Sequence, residues 1–448
     1  MLIMAKMSLR IGLLILSMVL VILLLAGCGS NSGPAANPTQ PPATSPAPSS
    51  AAPATTTNSV PASTPAPAPP ASSAIFRIGY MGQMSGDAGA AVTKLFQESE
   101  YMMKYINEVE GGINGVKLDW KMADNRGTAD GAIVAYKQLR DTYKPNLYVQ
   151  VEDFLLLGML KDIATDGSVI TTTSAIVPNL YNPPARIYSH SMPTVDGFGA
   201  YLNWVISDWK GPGNPRVGVL YWSDNQSAQA WMGAKAWGER KNIEFVPVTY
   251  SITALDLKAQ LLKFKDSKVN YIWAHAITPN AAVVVRDANS LGIAKQISIT
   301  FMEYVESQEL LKQAGDAVEG FYGYIHHSPY SEGTQAAKIY TQMWKQFGNK
   351  DNVWSDNRGV ITLKGLLNAL VPKIAADIKD NKLTNDALNN ALSGLSNIDT
   401  WGNNKDFGYG PTKRVGISAL KIHQYTKTGT ITVGDWVPMP RFFEGVEK

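Results

Sequence analysis

The fold is decided by one stretch of the chain, Phe76-Arg77-Ile78-Gly79-Tyr80-Met81-Gly82-Gln83-Met84-Ser85-Gly86. Its first six residues favour a β-strand, and the glycines of the last five predict a turn. Apolar residues then recur at helical spacing over residues 90–110, and they are Val92, Leu95, Phe96, Met102, Met103 and Ile106. Two glycines, Gly111 and Gly112, end this helix, and residues 117–123 predict the next strand. The stretch therefore predicts a β-turn-α-β unit.

The same alternation continues along the chain. A helix around Gln138 and a strand over 147–151 extend the first block. A second block contains strands at 216–221, 243–248 and 270–274 and helices at 228–240 and 281–291. Repeated βα units imply parallel sheets with helices on both faces. The pattern predicts an α/β protein with two doubly wound, Rossmann-like lobes.

A longer motif adds a family likeness. Residues 105–118 read Tyr-Ile-Asn-Glu-Val-Glu-Gly-Gly-Ile-Asn-Gly-Val-Lys-Leu, and shorter echoes follow at 167–175, 288–293 and 317–322. Together with the turn at 82–86, these segments resemble the leucine-binding-protein-like, type I periplasmic-binding family. The resemblance covers residues 76–347 well and implies two α/β lobes, three crossovers and a ligand cleft between the lobes.

The same resemblance predicts how the chain is divided. We place the crossovers near Ser191, Ser328 and Trp401. One lobe is then formed by residues 75–191 and 329–400, and the other by 192–328 and 401–448. Gly429 is expected to form a hairpin turn in the second lobe.

The N-terminus predicts export. Lys6 and Arg10 precede an uncharged apolar run at 11–25, which ends in Leu-Ala-Gly-Cys at Cys28. This ending resembles the bacterial lipobox, so residues 1–27 are expected to be a lipoprotein signal peptide and Cys28 the lipidated residue. The alternative is a plain membrane anchor with an incidental cysteine. Because three methionines lie before the apolar run, the starting residue stays open.

A tether is predicted at residues 28–74. From 29 to 73 the chain consists almost entirely of Ala, Pro, Ser, Thr, Gly and Asn, and it carries no charge. Such a segment buries too little apolar surface to offset the entropy of ordering, so we expect it to be disordered. Its physical role is that of a spacer between the membrane and the folded part.

The charge and cysteine content of the sequence argue against several kinds of binding and of metal or disulfide site. The chain has 40 Lys and Arg against 37 Asp and Glu, and two of the basic residues lie in the predicted signal. A near-neutral folded part carries no signature of nucleic-acid binding, and no basic patch draws it to anionic lipid. Cys28 is the only cysteine, which excludes disulfides and thiolate metal sites from the folded part.

Ligands of open α/β sheets lie beyond the carboxyl ends of the strands. The loops at these ends therefore supply the candidate residues for ligand binding. They are Gln83, Ser85, Asp153, Phe154, Thr173, Ser174, Trp222, Gln226, Ala276 and Glu303. Trp222 has the alternative of an ordinary core or surface aromatic residue.

The charges of two candidate residues, Asp153 and Glu303, narrow the range of ligands that we expect. In family members that bind amino acids, small hydroxyl residues of the second loop hold the ligand carboxylate, whereas this chain has Asp153 and Phe154 there. If Asp153 and Glu303 both face the cleft, the ligand should carry an ammonium group or several N–H donors, because an uncompensated buried carboxylate is costly. Asp153 has the alternative of capping the helix that follows it, and Glu303 that of a solvated turn residue.

No enzyme motif is present: the sequence has no Gly-x-Ser-x-Gly elbow, P-loop or His-Glu-x-x-His. We expect no enzymatic activity, no cofactor and no metal site. The adjacent His326 and His327 should point to opposite faces of a strand, so that they cannot bind one ion together. The remaining histidines, at 190, 275 and 423, are expected to be structural.

These expectations combine with the resemblance into one hypothesis. The chain is expected to be the receptor lipoprotein of an ABC importer, held outside the cytoplasmic membrane by its lipid. Its partners would be a small solute, such as an amino acid, amide, urea-like compound or amine, and the permease subunits. We expect a monomer that contacts the membrane through the lipid only. The alternative is a sensor that passes its ligand signal to a receptor or kinase.

Overall fold

The computed structural model describes residues 74–445 apart from 87, 183–184 and 349–358, and it does not describe the side chains of Gln226 and Tyr330. Residues 70–448 form one compact unit. The predicted signal peptide, Cys28 and the tether up to residue 73 lie outside the described residues.

The first sheet has five parallel strands in the order β2-β1-β3-β4-β5. They are β1 (Ala74–Gly82), β2 (Val116–Asp124), β3 (Leu147–Gln150), β4 (Ile170–Thr172) and β5 (Ile187–Ser189). β1 begins at Ala74, the last residue that was assigned to the tether. The order changes direction beside β1, as it does in doubly wound sheets, so the predicted α/β class is confirmed for this block.

The second sheet has seven strands in the order β12-β11-β10-β9-β8-β6-β7. They are β6 (Arg216–Trp222), β7 (Glu244–Tyr250), β8 (Tyr271–Ala274), β9 (Ser298–Phe301), β10 (Tyr322–Ile325), β11 (Ala419–Thr426) and β12 (Gly429–Pro438). β6 to β10 pair in parallel, whereas β11 and β12 are antiparallel additions at one edge. The hairpin was predicted, but Gly429 starts β12 opposite Thr426 and the turn consists of Lys427 and Thr428.

Eleven α-helices of the described residues connect and cover these sheets. They are α1 (Gly89–Lys104), α2 (Ala129–Thr142), α3 (Leu160–Asp166), α4 (Thr194–Asp208), α5 (Asn225–Arg240), α6 (Lys258–Asp266), α7 (Thr278–Ser290), α8 (Ser307–Ala314), α9 (Gln335–Phe347), α10 (Gly359–Lys379) and α11 (Asn385–Ser393). A single turn of π-helix, Tyr105–Val109, continues α1.

The two glycines that were predicted to end the first helix adopt a backbone conformation that permits a tight turn. Gly111 and Gly112 have φ angles of 79° and 98°, in the left-handed region that suits glycine. A Cβ atom on Gly112 would lie 2.5 Å from the carbonyl oxygen of Val116. The chain can therefore reverse tightly here and enter β2.

One helix, α10, is long and apolar enough to cross a membrane, with a mean hydropathy of 1.3. Within the folded chain, however, 67% of that window is buried. Val360, Ile361 and Leu367 are almost completely inaccessible to solvent. α10 is therefore a core helix.

Three connections pass between the sheets. The first runs from β5 to α4, the second from β10 to α9, and the third from α11 to β11. The second and third are bonded to each other, because the Ser328 N–H donates to the Asn403 oxygen (2.7 Å) and Asn404 Nδ2 to the His326 oxygen (2.8 Å). Val415 still pairs with Ser189 of the first sheet. These contacts favour a third crossing after Val415, later than Trp401; the division into lobes stays a prediction.

Candidate functional site

A cavity of about 80 Å³ lies between the two sheets. Its wall is formed by residues of strand β1, of the loops after β4, β5, β9 and β10, and of helices α1 and α10. They are Tyr80, Leu95, Ser99, Thr173, His190, Ser191, Glu303, Tyr304, His326, His327, Gly359, Val360 and Leu363. Most of the polar groups directly follow strands: Thr173 follows β4, Glu303 follows β9, and His326 follows β10. The cavity is thus at the carboxyl ends of the strands, where ligands of such sheets bind.

Glu303 is the one acidic residue of the described wall, and 4% of its side chain is exposed. Its Oε2 lies 2.8 Å from Nδ1 of His326, and the backbone of His326 is in turn held by Asn404. Oε1 has no hydrogen-bond partner among the described residues. The carboxylate is therefore fixed by one oxygen while the other remains available to a bound molecule.

The histidines of the wall differ from their prediction. His326 and His327 do not lie in a strand, because β10 ends at Ile325, and both line the cavity with ring centroids 5.5 Å apart. The expectation that they point to opposite faces was wrong for this reason. Within the described part of the chain, no group of three or more His, Cys, Asp or Glu side chains could hold a metal ion.

His190 contributes a neutral ring. Its Nδ1 lies 2.8 Å from Oγ1 of Thr171. Burial lowers the pKa of His190 to about 3, and the nearby His326 acts in the same direction. The ring is therefore uncharged at neutral pH and presents dipoles rather than a cation.

Two tyrosines add uncharged aromatic groups. Burial, followed by the Glu303 carboxylate, raises the pKa of Tyr304 above its ordinary value, and burial raises that of Tyr80. Both hydroxyls therefore keep their protons. The Tyr304 hydroxyl lies 3.3 Å from Oγ1 of Thr194 at the start of α4.

Asp153, a predicted binding residue, faces into the first block. Its carboxylate accepts hydrogen bonds from the N–H groups of Ile176 (2.8 Å) and Val177 (3.1 Å), and it also contacts the hydroxyls of Ser174 and Tyr181. It does not cap its own short 3₁₀ helix, whose start carries no side-chain hydrogen bond. Burial raises its pKa, and these hydrogen bonds oppose that rise. Asp153 thus fastens the loop after β4 and is not part of the cavity wall.

Other predicted residues of the first block also make internal contacts. Ser174 is 2.8 Å from the Val151 oxygen, Gln83 accepts from the N–H of Ala88 (3.4 Å), and Ser85 bonds Asp124 (2.5 Å). Phe154 packs partly buried against the core. Only Thr173 of this group reaches the cavity.

The predicted residues of the second block also divide into those that line the cavity and those that lie elsewhere. Trp222 stacks on His275 at 4.5 Å, and Ala276 is fully buried in the core. The side chain of Gln226 lies outside the description. Glu303 alone lines the cavity, so of the ten predicted binding residues the structure brings Thr173 and Glu303 together there.

Part of the wall was not predicted. Val360 and Leu363 belong to α10, and Leu95 to α1; they form its apolar side. Their sequence pattern indicates only a buried helix, and nothing local distinguishes a cavity-lining leucine from a core leucine. His190 and Ser191 sit at the predicted first crossover, which is the signal that could have identified them.

Comparisons with known proteins give one family match and several similar structures. A family model described as periplasmic binding protein matches residues 76–430. A search of curated proteins found no match. The chain resembles a branched chain amino acid ABC transporter from Thermus thermophilus with bound valine, at 16% identity and a TM-score of 0.70, covering 83% of this chain and 98% of that one.

Two further solved structures are similar. A fatty acid ABC transporter substrate-binding protein from Thermomonospora curvata has 19% identity and a TM-score of 0.68, over 83% of this chain and 94% of that one. An ABC transporter solute binding protein from R. palustris in complex with benzoate has 14% identity and a TM-score of 0.66, over 82% and 97%. At these identities the likeness establishes the fold.

Proposed function

Because the chain belongs to the periplasmic binding protein family, we propose that it is the extracytoplasmic solute-binding receptor of an ABC importer. The solute is an amino acid or a related small polar compound, such as an amide, a urea-like compound or an amine. The observation that carries the proposal is the cavity between the two sheets, whose wall combines Tyr80 and Thr173 of the first block with Glu303 and Tyr304 of the second. A molecule bound there contacts both halves at once, as a receptor that closes on its ligand requires.

Transport is favoured over sensing by the similar structures, whose names describe parts of ABC transporters. The partners are then permease subunits, and the receptor acts as a monomer without turnover of the solute. The proposal includes lipidation of Cys28, because Cys28→Ala should release the folded chain from the membrane. Recovery of that variant in the membrane fraction after signal cleavage would contradict this part.

A thermal-shift screen of amino acids, amides, urea and amines against the purified chain tests the proposal. A ligand at 100 times its Kd should add about 2.7 kcal/mol to the free energy of unfolding. The gain should fall to about 1.4 kcal/mol or less in Glu303→Gln, because we expect its Kd to rise at least about tenfold. It should be kept in Glu319→Gln, since Glu319 is a surface residue paired with Lys427. Mass spectrometry should return the ligand unchanged. No stabilisation by any solute, or a chemically altered ligand, would overturn the proposal.

A further inference from the structure

We infer that the ligand is a small amphipathic organic cation without a carboxylate, such as a short-chain primary amine, whose charged end binds Glu303. The inference rests on the proposed function and narrows its ligand class. Three features of the cavity carry it: an available carboxylate oxygen, the absence of Lys and Arg from the described wall, and an apolar face formed by helices.

The carboxylate of Glu303 requires a donor. With 4% of the side chain exposed, Oε1 is removed from solvent, yet it has no partner among the described residues. A buried charged acceptor without a hydrogen bond is strongly unfavourable, and an N–H donor that carries a positive charge relieves this most. Since His326 holds Oε2, the free oxygen cannot easily turn away. A bound ammonium group is the natural partner for Oε1.

A ligand carboxylate has no comparable partner. The described wall contains no Lys or Arg, and His190 is neutral because burial lowers its pKa to about 3. The N–H groups of Ile176 and Val177 in the loop after β4 are occupied by Asp153, which leaves the uncharged hydroxyls of Ser99, Thr173 and Ser191 in the wall. A second carboxylate in the cavity would therefore be repelled by Glu303 without a Lys or Arg side chain to offset it.

The remaining wall suits an amphipathic cation. Tyr80 and Tyr304 bring aromatic rings, whose faces attract cations. Leu95, Val360 and Leu363 form the apolar side from α1 and α10. A volume of about 80 Å³ holds on the order of six water-sized groups. An amine with a short branched carbon chain fills such a space.

Three probes of nearly equal shape separate the charge classes in calorimetric titrations of the full chain. Isobutylamine carries only the cation, isovalerate only the carboxylate, and valine both. We expect isobutylamine to bind, valine to bind at least about tenfold more weakly, and isovalerate to give no measurable heat of binding. Glu303→Gln should weaken isobutylamine at least about tenfold, whereas Glu319→Gln should leave it unchanged.

The outcomes distinguish this inference from the proposed function. Binding of valine or isovalerate as tight as that of isobutylamine overturns the cation assignment and leaves the solute-binding function intact. Absence of binding by every solute class overturns both. Isobutylamine binding that is insensitive to Glu303→Gln would show that the cation lies elsewhere.

The apolar side is tested on α10. Val360→Thr preserves shape but places a hydroxyl against the carbon chain, so the preference for isobutylamine over methylamine should fall about five- to tenfold. Val371→Thr is the matched control, because Val371 is buried in the same helix away from the cavity wall. An unchanged preference in Val360→Thr would remove α10 from the binding site.

Discussion

Two carboxylates, Glu303 and Asp153, show at the residue scale how the surroundings of a side chain decide its role. Both follow strands; Asp153 is fully buried, and 4% of the Glu303 side chain is exposed. Asp153 is surrounded by donors from the loop after β4, so its hydrogen-bonding capacity is used within the fold. Glu303 has one partnered oxygen and one without a partner among the described residues. We therefore interpret Asp153 as a group that fastens the loop and propose Glu303 as the group that binds the ligand.

Substitution of Asp153 should therefore affect stability and not affinity. Asp153→Asn turns an amide N–H₂ toward a cluster of donors, and we expect the free energy of unfolding to fall by about 1–3 kcal/mol. Denaturant unfolding measures the loss, and calorimetry should give an unchanged ligand affinity. Asp316→Asn, at a carboxylate with 75% exposure, is the control. A large loss of affinity with stability kept would place Asp153 in the binding site.

The elements of the fold were more predictable than the site. β1, α1 and β2 could be predicted because runs of β-favouring residues mark the two strands and apolar residues recur at helical spacing in α1. The cavity depends instead on contacts between distant segments: Leu363 lies over 260 residues along the chain from Leu95, yet both form one wall. Patterns in a single sequence contain no information on such pairs. Thr173 and Glu303 could be inferred because each follows the end of a strand, whereas the α10 residues have no such signal.

Helix α10 also connects the cavity to the crossovers. The Thr362 hydroxyl donates to Oδ1 of Asn404 (2.9 Å) and accepts from Nδ2 of the buried Asn403 (3.1 Å). Asn404 in turn holds the backbone of His326. A turn of α10 that lines the cavity with Val360 and Leu363 is thus bonded to the second and third connections.

Loss of this link should be costly. Thr362→Val keeps the side-chain shape and removes both hydrogen bonds, so we expect the free energy of unfolding to fall by about 1–3 kcal/mol. The affinity for the ligand should fall as well, because His326 and its partner Glu303 lose their support. Thr165→Val, at an exposed helical threonine that bonds the Lys161 oxygen, is the control. Equal small effects in both variants would contradict the role of Thr362.

At the scale of the whole molecule, three buried histidines predict how stability depends on pH. Burial lowers the pKa values of His190 and His423 to about 3 and that of His275 to about 4. Each ring binds a proton more readily in the unfolded chain, where the pKa is about 6.5. Their contribution to stability is complete above that value and is lost as pH falls toward the folded-state values.

Denaturant unfolding from pH 7 to pH 4 should reveal this loss. Each histidine contributes up to about 1.4 kcal/mol per pH unit, so removal of one should make the slope measurably shallower. His423→Leu is the chosen variant, because both ring nitrogens of His423 lack a partner among the described residues and the residue lies in β11, outside the cavity wall. A slope identical to that of the unsubstituted chain would show that His423 titrates normally.

The last whole-molecule feature is the way a ligand reaches a small cavity whose walls come from both sheets. Entry requires the halves to separate, and contacts from a bound ligand to both walls favour the state in which they approach. We expect such a rotation to be absorbed by the connections after β5 and β10 and by the segment between β11 and Val415, which still pairs with Ser189 of the first sheet. Binding and closure are then two aspects of one equilibrium.

Distance measurements between the lobes test this coupling. Because Cys28 is the only native cysteine and is proposed to be lipidated, two introduced cysteines can be labelled selectively. Lys161→Cys with Lys312→Cys places labels on α3 and α8, which follow β3 and β9 at the cleft edges of the two sheets. We expect the label distance to shorten on saturation with ligand and the distance between Lys263→Cys and Lys312→Cys, both within the second block, to stay the same. Adding Glu303→Gln should shift the shortening to at least about tenfold higher ligand concentration. Identical distances with and without a ligand whose binding is established by calorimetry would mean that the protein binds without closing.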